Sequence, residues 1–253
     1  MILVSGKPFD AGIINEYAER SVERIIFNKL SVSSEQYVYD TVSQLKFEMK
    51  LRKEIINASY QLNRSKMSFL VFRKSKCNEQ YWARTDEGGF LLRGDVRGSD
   101  AINDIFINGF KYGTECATAM IIVYYKALLN VFPKEVFDQL FSKIHLMDWH
   151  YLDRLIKEVG YMKKPKEYLP GDRRYIINPD VDPLTPHWQG ENIIDLNGNL
   201  YYGHGIGIQK SETIIAILNQ KRGEGAKRSA YLLDTVGRPD FNKIEAAYNQ
   251  NVR

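Results

Sequence analysis

The chain's 253 residues suffice to bury a full core, as one large domain or two small ones. An apolar share of 44% and a charged share of 26% belong to an ordinary globular protein, and a net charge of +4 without a long basic block argues against nucleic acid as a partner. Two cysteines, Cys77 and Cys116, are too few for a disulfide framework and suit a reducing compartment, although one pairing stays open. The opening MILVSG has neither the basic segment nor the apolar run of a secretory signal, so synthesis in the cytoplasm is expected.

In chain order, Ile2 to Val4 reads as a short strand stopped by Ser5-Gly6. Ile13, Ile14, Tyr17, Val22, Ile25 and Ile26 give an irregular helical pattern over Ile13 to Leu30. Tyr37 to Tyr39 is extended, and Asp40 is placed to cap a long helix from Thr41 to Leu62 with Leu45, Met49, Ile55, Ile56 and Tyr60 on one side. Strands are expected at Phe69 to Arg73, Tyr81 to Arg84 and Phe90 to Arg93, the last two joined as a hairpin by Asp86-Glu87-Gly88-Gly89. Ser99 or Asp100 caps a short helix to Asn108, and Pro133 opens another to about Ser142.

From Ile144 the texture changes to short strands (Tyr175 to Ile177, Asn192 to Leu196, Leu200 to His204) among loops rich in Pro, Gly, Asp and Asn. Asn197-Gly198 marks a hairpin turn. Ser211 caps a helix from Glu212 to Arg222 that Gly223 ends, and a strand at Ala230 to Leu233 precedes a helix from Asp240 to Tyr248. Without repeats or a linker, the pattern predicts one α+β domain.

The stretch Asn108 to Leu129 organises the rest. Thr114 can cap a helix beginning at about Glu115, whose apolar run is broken by Thr118 and Lys126 and is too short to span a membrane. Cys116 falls in its first turn, where unpaired N–H groups and the helix dipole favour a thiolate. The sulfur is therefore either a nucleophile or a small core thiol. A nucleophile needs a partner. His204 lies between glycines at a strand end, with room to face a cleft, whereas His187 sits in a Pro-rich loop. His145 and His150 flank Asp148-Trp149 without a convincing metal spacing. Glu115 adjoins Cys116, and Glu191 precedes an apolar strand. Asp180 and Asp182 are too few for a calcium cage, so no metal and no cofactor is expected. The order of a helix-borne Cys, then Leu169-Pro170-Gly171-Asp172, then strands ending in a glycine-flanked His is similar to the core of papain-like and NlpC-type cysteine peptidases.

Five ordered strings carry a closer resemblance: Tyr112-Gly113-Thr114-Glu115-Cys116-Ala117-Thr118-Ala119, Asp148-Trp149-His150-Tyr151, Trp188-Gln189-Gly190-Glu191-Asn192, Gly203-His204-Gly205-Ile206-Gly207 and Ser229-Ala230-Tyr231-Leu232-Leu233. In these the chain resembles the protein-glutamine gamma-glutamyltransferases of Bacillus spores, from Met1 to Val252-Arg253, without a residue-by-residue match through the stretch that runs on from about Tyr151 to Leu169. The resemblance implies an NlpC-like core over about residues 99–253 with an N-terminal helical extension and hairpin over about 1–98. It implies calcium-independent cross-linking of spore coat proteins through glutamine and lysine side chains. It places the nucleophile on Cys116, its partner on Glu191, a partly redundant carboxylate on Glu115 and His204 in the same tunnel. Trp149, Trp188 and Phe69 are the expected tunnel walls, although core packing is the plainer reading for Phe69. A monomer is expected, made in the mother cell and then moved to the spore coat, with no membrane partner. Two other readings stay open: an NlpC-type hydrolase acting on cell-wall peptides through a Cys116–His204 pair, and a non-catalytic coat protein with a buried Cys116.

Overall fold

The computed structural model describes residues 1–9 and 11–252, so Arg253, where the resemblance ends, lies outside the described residues. The chain begins with β1 (Ile2–Val4), β2 (Lys7–Pro8), α1 (Val22–Val32), β3 (Tyr37–Tyr39) and the long α2 (Val42–Arg64). The helix expected over Ile13 to Leu30 is instead a 3-10 turn at Ala11–Glu16 followed by α1. A fresh cap causes the break, because the Ser21 side chain accepts the N–H of Arg24. Thr41, not Asp40, caps α2: its hydroxyl accepts from Gln44, while the Gln44 side chain accepts the Asp40 N–H.

Next come β4 (Ser68–Phe69), β5 (Trp82–Arg84), β6 (Phe90–Leu92), α3 (Gly98–Ile107) and β7 (Gly113–Thr114). The strand expected from Phe69 to Arg73 stops after two residues, and Phe72–Lys74 forms a 3-10 turn. The expected hairpin forms from β5 and β6, in a register that pairs Trp82 with Leu92. Ser99 lies inside the first turn of α3, where the Asp138 carboxylate accepts both its N–H and its hydroxyl. A side chain remote in sequence thus supplies the cap.

The second half holds α4 (Cys116–Val131), α5 (Lys134–Leu140), β8 (His145–Leu146), β9 (Arg173–Ile177), β10 (Gly190–Asp195), β11 (Leu200–Gly203), β12 (Gly207–Lys210), α6 (Ser211–Asn219), β13 (Tyr231–Leu232) and α7 (Phe241–Asn251). A five-stranded antiparallel sheet runs β12-β11-β10-β9-β13. On one face, Ile194 and Tyr202 join α4 and α2 in the main core; on the other, Ile176, Ile193 and Tyr201 pack on Ile214 and Leu218 of α6. Strand alternation produces this division, since paired residues share a face and neighbours do not. The last turn of α6 tightens at Gln220, so this helix stops short of the expected Arg222.

Helix α4 is buried along all of Ala117 to Tyr125, with α2 along one side and β10 across another. A helix apolar all round has to sit inside the protein. Among the described residues, no helix is long and apolar enough to cross a membrane. The architecture is mixed helix and sheet, as predicted.

Candidate active site

Two short pairings bring distant segments to the start of α4. Strands β4 and β7 run parallel, with Phe69 opposite Thr114, so Phe69 stands beside the residues leading into Cys116. Strand β10 is paired on both sides, and Asn192 lies opposite Tyr175 of β9. These elements enclose a cavity of about 570 Å³, lined by Phe69, Glu115, Cys116, Asp148, Trp149, Arg173, Tyr175, His187 and Asn192, with Met162 and Leu233 among the apolar positions.

Helix α4 starts at Cys116, one residue later than predicted, because Glu115 is the cap rather than Thr114. Its carboxylate accepts the N–H groups of Ala117 and Thr118, each at 2.6 Å. The carboxylate thus sits on the positive end of the helix dipole. Burial raises the Glu115 pKa, and these two bonds oppose the rise. The Cys116 thiol is pushed well above its ordinary value, first by burial and then by the charges of Glu191 and Glu115. A hydrogen bond from Asn192 opposes this: its Nδ2 lies 3.5 Å from the sulfur.

Glu191 is buried, and its Oε1 has no hydrogen-bond partner within the protein. Burial and the nearby Glu115 raise its pKa well above the carboxylate range, against the backbone N–H of His204. Its side chain lies over Gly203, where a Cβ would come 3.1 Å from Glu191 Cγ and Oε1, so the absence of a side chain there makes room for the carboxyl. Glu191 does not line the cavity; its strand neighbour Asn192 does.

His204 is buried and has both ring nitrogens occupied. Nε2 is 3.1 Å from the Ser68 carbonyl, and Nδ1 is 3.2 Å from the Tyr202 hydroxyl. A carbonyl only accepts, so Nε2 carries the proton and Nδ1 accepts from the tyrosine. Burial lowers the imidazole pKa to about 4, keeping it neutral. Through Ser68 the ring ties the end of β11 to β4. Gly205, at a φ of +92°, lets the chain turn there with a missing Cβ that would meet Phe69 Cβ at 2.7 Å.

Of the expected walls, Phe69 and Trp149 face the cavity, while Trp188 stacks on Phe69 with ring centroids 5.8 Å apart and stands behind it. Arg173, Tyr175, Asp148, His187 and Asn192 line the cavity without having been expected there from the sequence. Period-two alternation along Arg173 and Tyr175 was the available signal, but it needed the pairing partner to say which face mattered. Arg173 donates to Asn192 Oδ1 at 2.8 Å and to the Val159 carbonyl, and stacks on Trp149 at 4.2 Å. Among the described residues, no group of three or more His, Cys, Asp or Glu is placed to hold a metal ion.

A cysteine at a helix start, capped and flanked by carboxyls in a mostly apolar cavity, is equipped for acyl transfer. The family profile described as protein-glutamine gamma-glutamyltransferase matches residues 1–248. The protein-glutamine gamma-glutamyltransferase of Halalkalibacterium halodurans is 40% identical over 238 residues, covering 94% of this chain and 82% of that one. That of Bacillus cereus is 43% identical over 241 residues, covering 95% and 86%. A solved transglutaminase from Geobacillus stearothermophilus, without its C-terminal extension, superposes with a TM-score of 0.77 at 49% identity, covering 82% of this chain and 98% of the other. The sequence matches run over nearly the whole length and the architectural match over 82% of it, and the chain belongs to the protein-glutamine gamma-glutamyltransferase family of acyltransferases.

Proposed function

We propose that Cys116 carries the acyl group as a thioester and that Glu191 carries the protons. The observation behind this reading is the placement of the Cys116 sulfur at the cavity, on the first residue of α4, with the carboxyls of buried Glu191 and half-buried Glu115 acting on its thiol. The thiol is held protonated, so attack requires a base. Glu191, whose carboxyl burial and the charge of Glu115 raise above the ordinary carboxylate range, binds a proton more tightly than a free carboxylate and is suited to accept and return one. As sulfur adds to the glutamine γ-carboxamide, the thiol proton passes to Glu191 and then to the leaving ammonia. A neutral lysine amine next attacks the thioester carbonyl, gives a proton to Glu191, and the expelled sulfur recovers it. The products are an ε-(γ-glutamyl)lysine bond and ammonia, and the enzyme returns to its starting protonation. Catalytic hydrogen bonds often tighten only in the substrate complex, so Glu191 need not bond the sulfur beforehand.

The developing oxyanion is assigned to the backbone N–H of Cys116, since Glu115 already occupies those of Ala117 and Thr118. Glu115 is the secondary carboxyl, and His204 acts by holding β4 against β11. The hydrolase alternative needs the imidazole of His204 as base, and both its nitrogens are engaged elsewhere. The wider reading is an NlpC-type core from about residue 99 onward with the N-terminal part as its extension. It works without calcium as a monomer on glutamine- and lysine-bearing spore coat proteins, after synthesis in the mother cell and transfer to the coat. The deciding experiment measures ammonia release and cross-linking of a glutamine- and lysine-rich acceptor protein, with and without added amine. Amine-dependent ammonia release that vanishes in Cys116→Ala is expected. Equal release without amine, or an active Cys116→Ala, overturns the reading.

A further inference from the structure

Asn192 has neighbours that leave its amide only one useful orientation. The Arg173 guanidinium has donors and no acceptor, and its Nη1 lies 2.8 Å from Asn192 Oδ1. The carbonyl end of the amide must therefore face Arg173, which directs Nδ2 and its hydrogens at the Cys116 sulfur, 3.5 Å away. Arg173 is itself fixed. Its Nε and Nη2 both donate to the Val159 carbonyl at 3.0 and 2.8 Å, and its guanidinium carbon lies over the Trp149 ring, 4.2 Å from the ring centroid. Only 2% of Arg173 and 5% of Asn192 is exposed, so water does not compete for these bonds.

We propose that Asn192 is a catalytic residue that donates its Nδ2–H to the sulfur as the thiol loses its proton, and that Arg173 is the positioning residue that holds it in that sense. This rests on the reading of Cys116 as the nucleophile. The chemistry calls for such a donor. The charges that raise the sulfur's titration are Glu191 on β10 and Glu115 beside it; Arg173 and Tyr175 on β9 respond to the Cys116 charge, and Asp148 and His187 line the same cavity. The two carboxylates oppose a thiolate, and Asn192 supplies the hydrogen bond that favours one. The same N–H serves twice per turnover, when the thiolate attacks the carboxamide and when lysine expels it from the thioester. The stack also gives Trp149 a second task besides walling the cavity, since it fixes the guanidinium that orients the amide.

The test compares Asn192→Asp with Asn192→Ala on a Cys77→Ala background, leaving Cys116 as the sole thiol. Asn192→Asp has nearly the parent's shape and gives Arg173 a carboxylate partner, so it retains the fold; thermal melting checks this. It places an acceptor oxygen where the donor was. Rates of iodoacetamide alkylation against pH, and kcat and KM with a glutamine donor and an amine acceptor, are measured for each. Both variants are expected to shift the alkylation profile to higher pH, Asp further than Ala. The expected loss in kcat is about 10- to 100-fold, as for a hydrogen bond to a charged group, with KM little changed. Arg173→Lys is expected to shift the profile in the same direction by a smaller amount. If packing were the only role, Asp would be the milder change. Alkylation and kcat like the parent's in Asn192→Asp overturn the proposal. An active Cys116→Ala would instead overturn the nucleophile assignment, so the two failures are distinguishable.

Discussion

Glu115→Gln and Glu191→Gln are expected to fail in different ways. At position 115 both carboxylate oxygens hold N–H groups of the first turn of α4, each at 2.6 Å. Glutamine keeps one acceptor and turns an NH2 toward the other N–H, so one cap bond is lost. A lost helix cap costs about 1 kcal/mol. For a chain of this size that lowers Tm by about 2–4 °C. At position 191 the buried carboxyl leaves Oε1 without a partner, so its charge contributes nothing favourable to the fold. Glutamine is expected to leave Tm unchanged or raise it, while kcat/KM falls on the order of 100-fold or more, the usual worth of a general acid–base group. The double variant should be slower than either single one, because Glu115 can stand in part for Glu191. Thermal melting alongside kcat/KM, with a glutamine donor and an amine acceptor, reads both effects. A Glu115→Gln enzyme with parental Tm that is as slow as Glu191→Gln would refute this division of labour.

Cys77→Ala is expected to be nearly silent, since burial raises that thiol to about 11, it donates to the Trp82 carbonyl and it does not line the cavity; a dead variant would move the nucleophile. Activity is expected to survive excess chelator, and a strict calcium requirement would break the metal-free mechanism. Iodoacetamide alkylation of Cys116 is expected to be slow at neutral pH and to climb above the ordinary thiol range, because burial and two carboxylates raise that group; fast reaction at pH 7 would contradict it. His204 provides a stability test: burial lowers its pKa from 6.5 to about 4, so the unfolded chain binds that proton more tightly. Its contribution is full above pH 6.5, is lost as pH falls through about 4, and amounts to about 3 kcal/mol. Melting at pH 7 and pH 4 should show a smaller fall for His204→Gln than for the parent, and equal falls would refute the assignment.

The Cys116 helix is legible in the sequence because burial demands a dense supply of Ala, Met, Ile, Val and Tyr, and that run, broken only by Thr118 and Lys126, can be read without knowing its neighbours. The β5–β6 hairpin and the Asn197-Gly198 turn were legible for a similar reason, since turn chemistry is local. Glu115 as a cap was not. Glutamate is an uncommon capping residue, and Thr114 stood beside it as a preferred one. The pairing of β4 with β7 was also hidden, because two-residue strands leave no periodicity and their partner lies far along the chain. Without that pairing, Phe69 looked like core. Asn192 stood in plain view next to Glu191, but which of two adjacent strand residues meets the sulfur depends on register, and one residue of slip exchanges them.

The raised Cys116 thiol looks at first like poor design for a nucleophile, and the transfer reaction gives it a purpose. A sulfur of higher pKa is more nucleophilic once its proton is gone, and it leaves more slowly from an acyl group. A peptidase gains by releasing its acyl group quickly to water. A transferase must keep the thioester until an amine arrives, and a reluctant leaving group prolongs that wait. Burial and the carboxylates at positions 115 and 191 all act in this direction. In the proposed mechanism the mostly apolar cavity limits competing water, and the Glu191 carboxyl, raised by burial and the charge of Glu115, is the base at each proton transfer. A preformed thiolate paired with a charged histidine would lose this selectivity. His204, neutral and hydrogen-bonded at both nitrogens, is unavailable to form one.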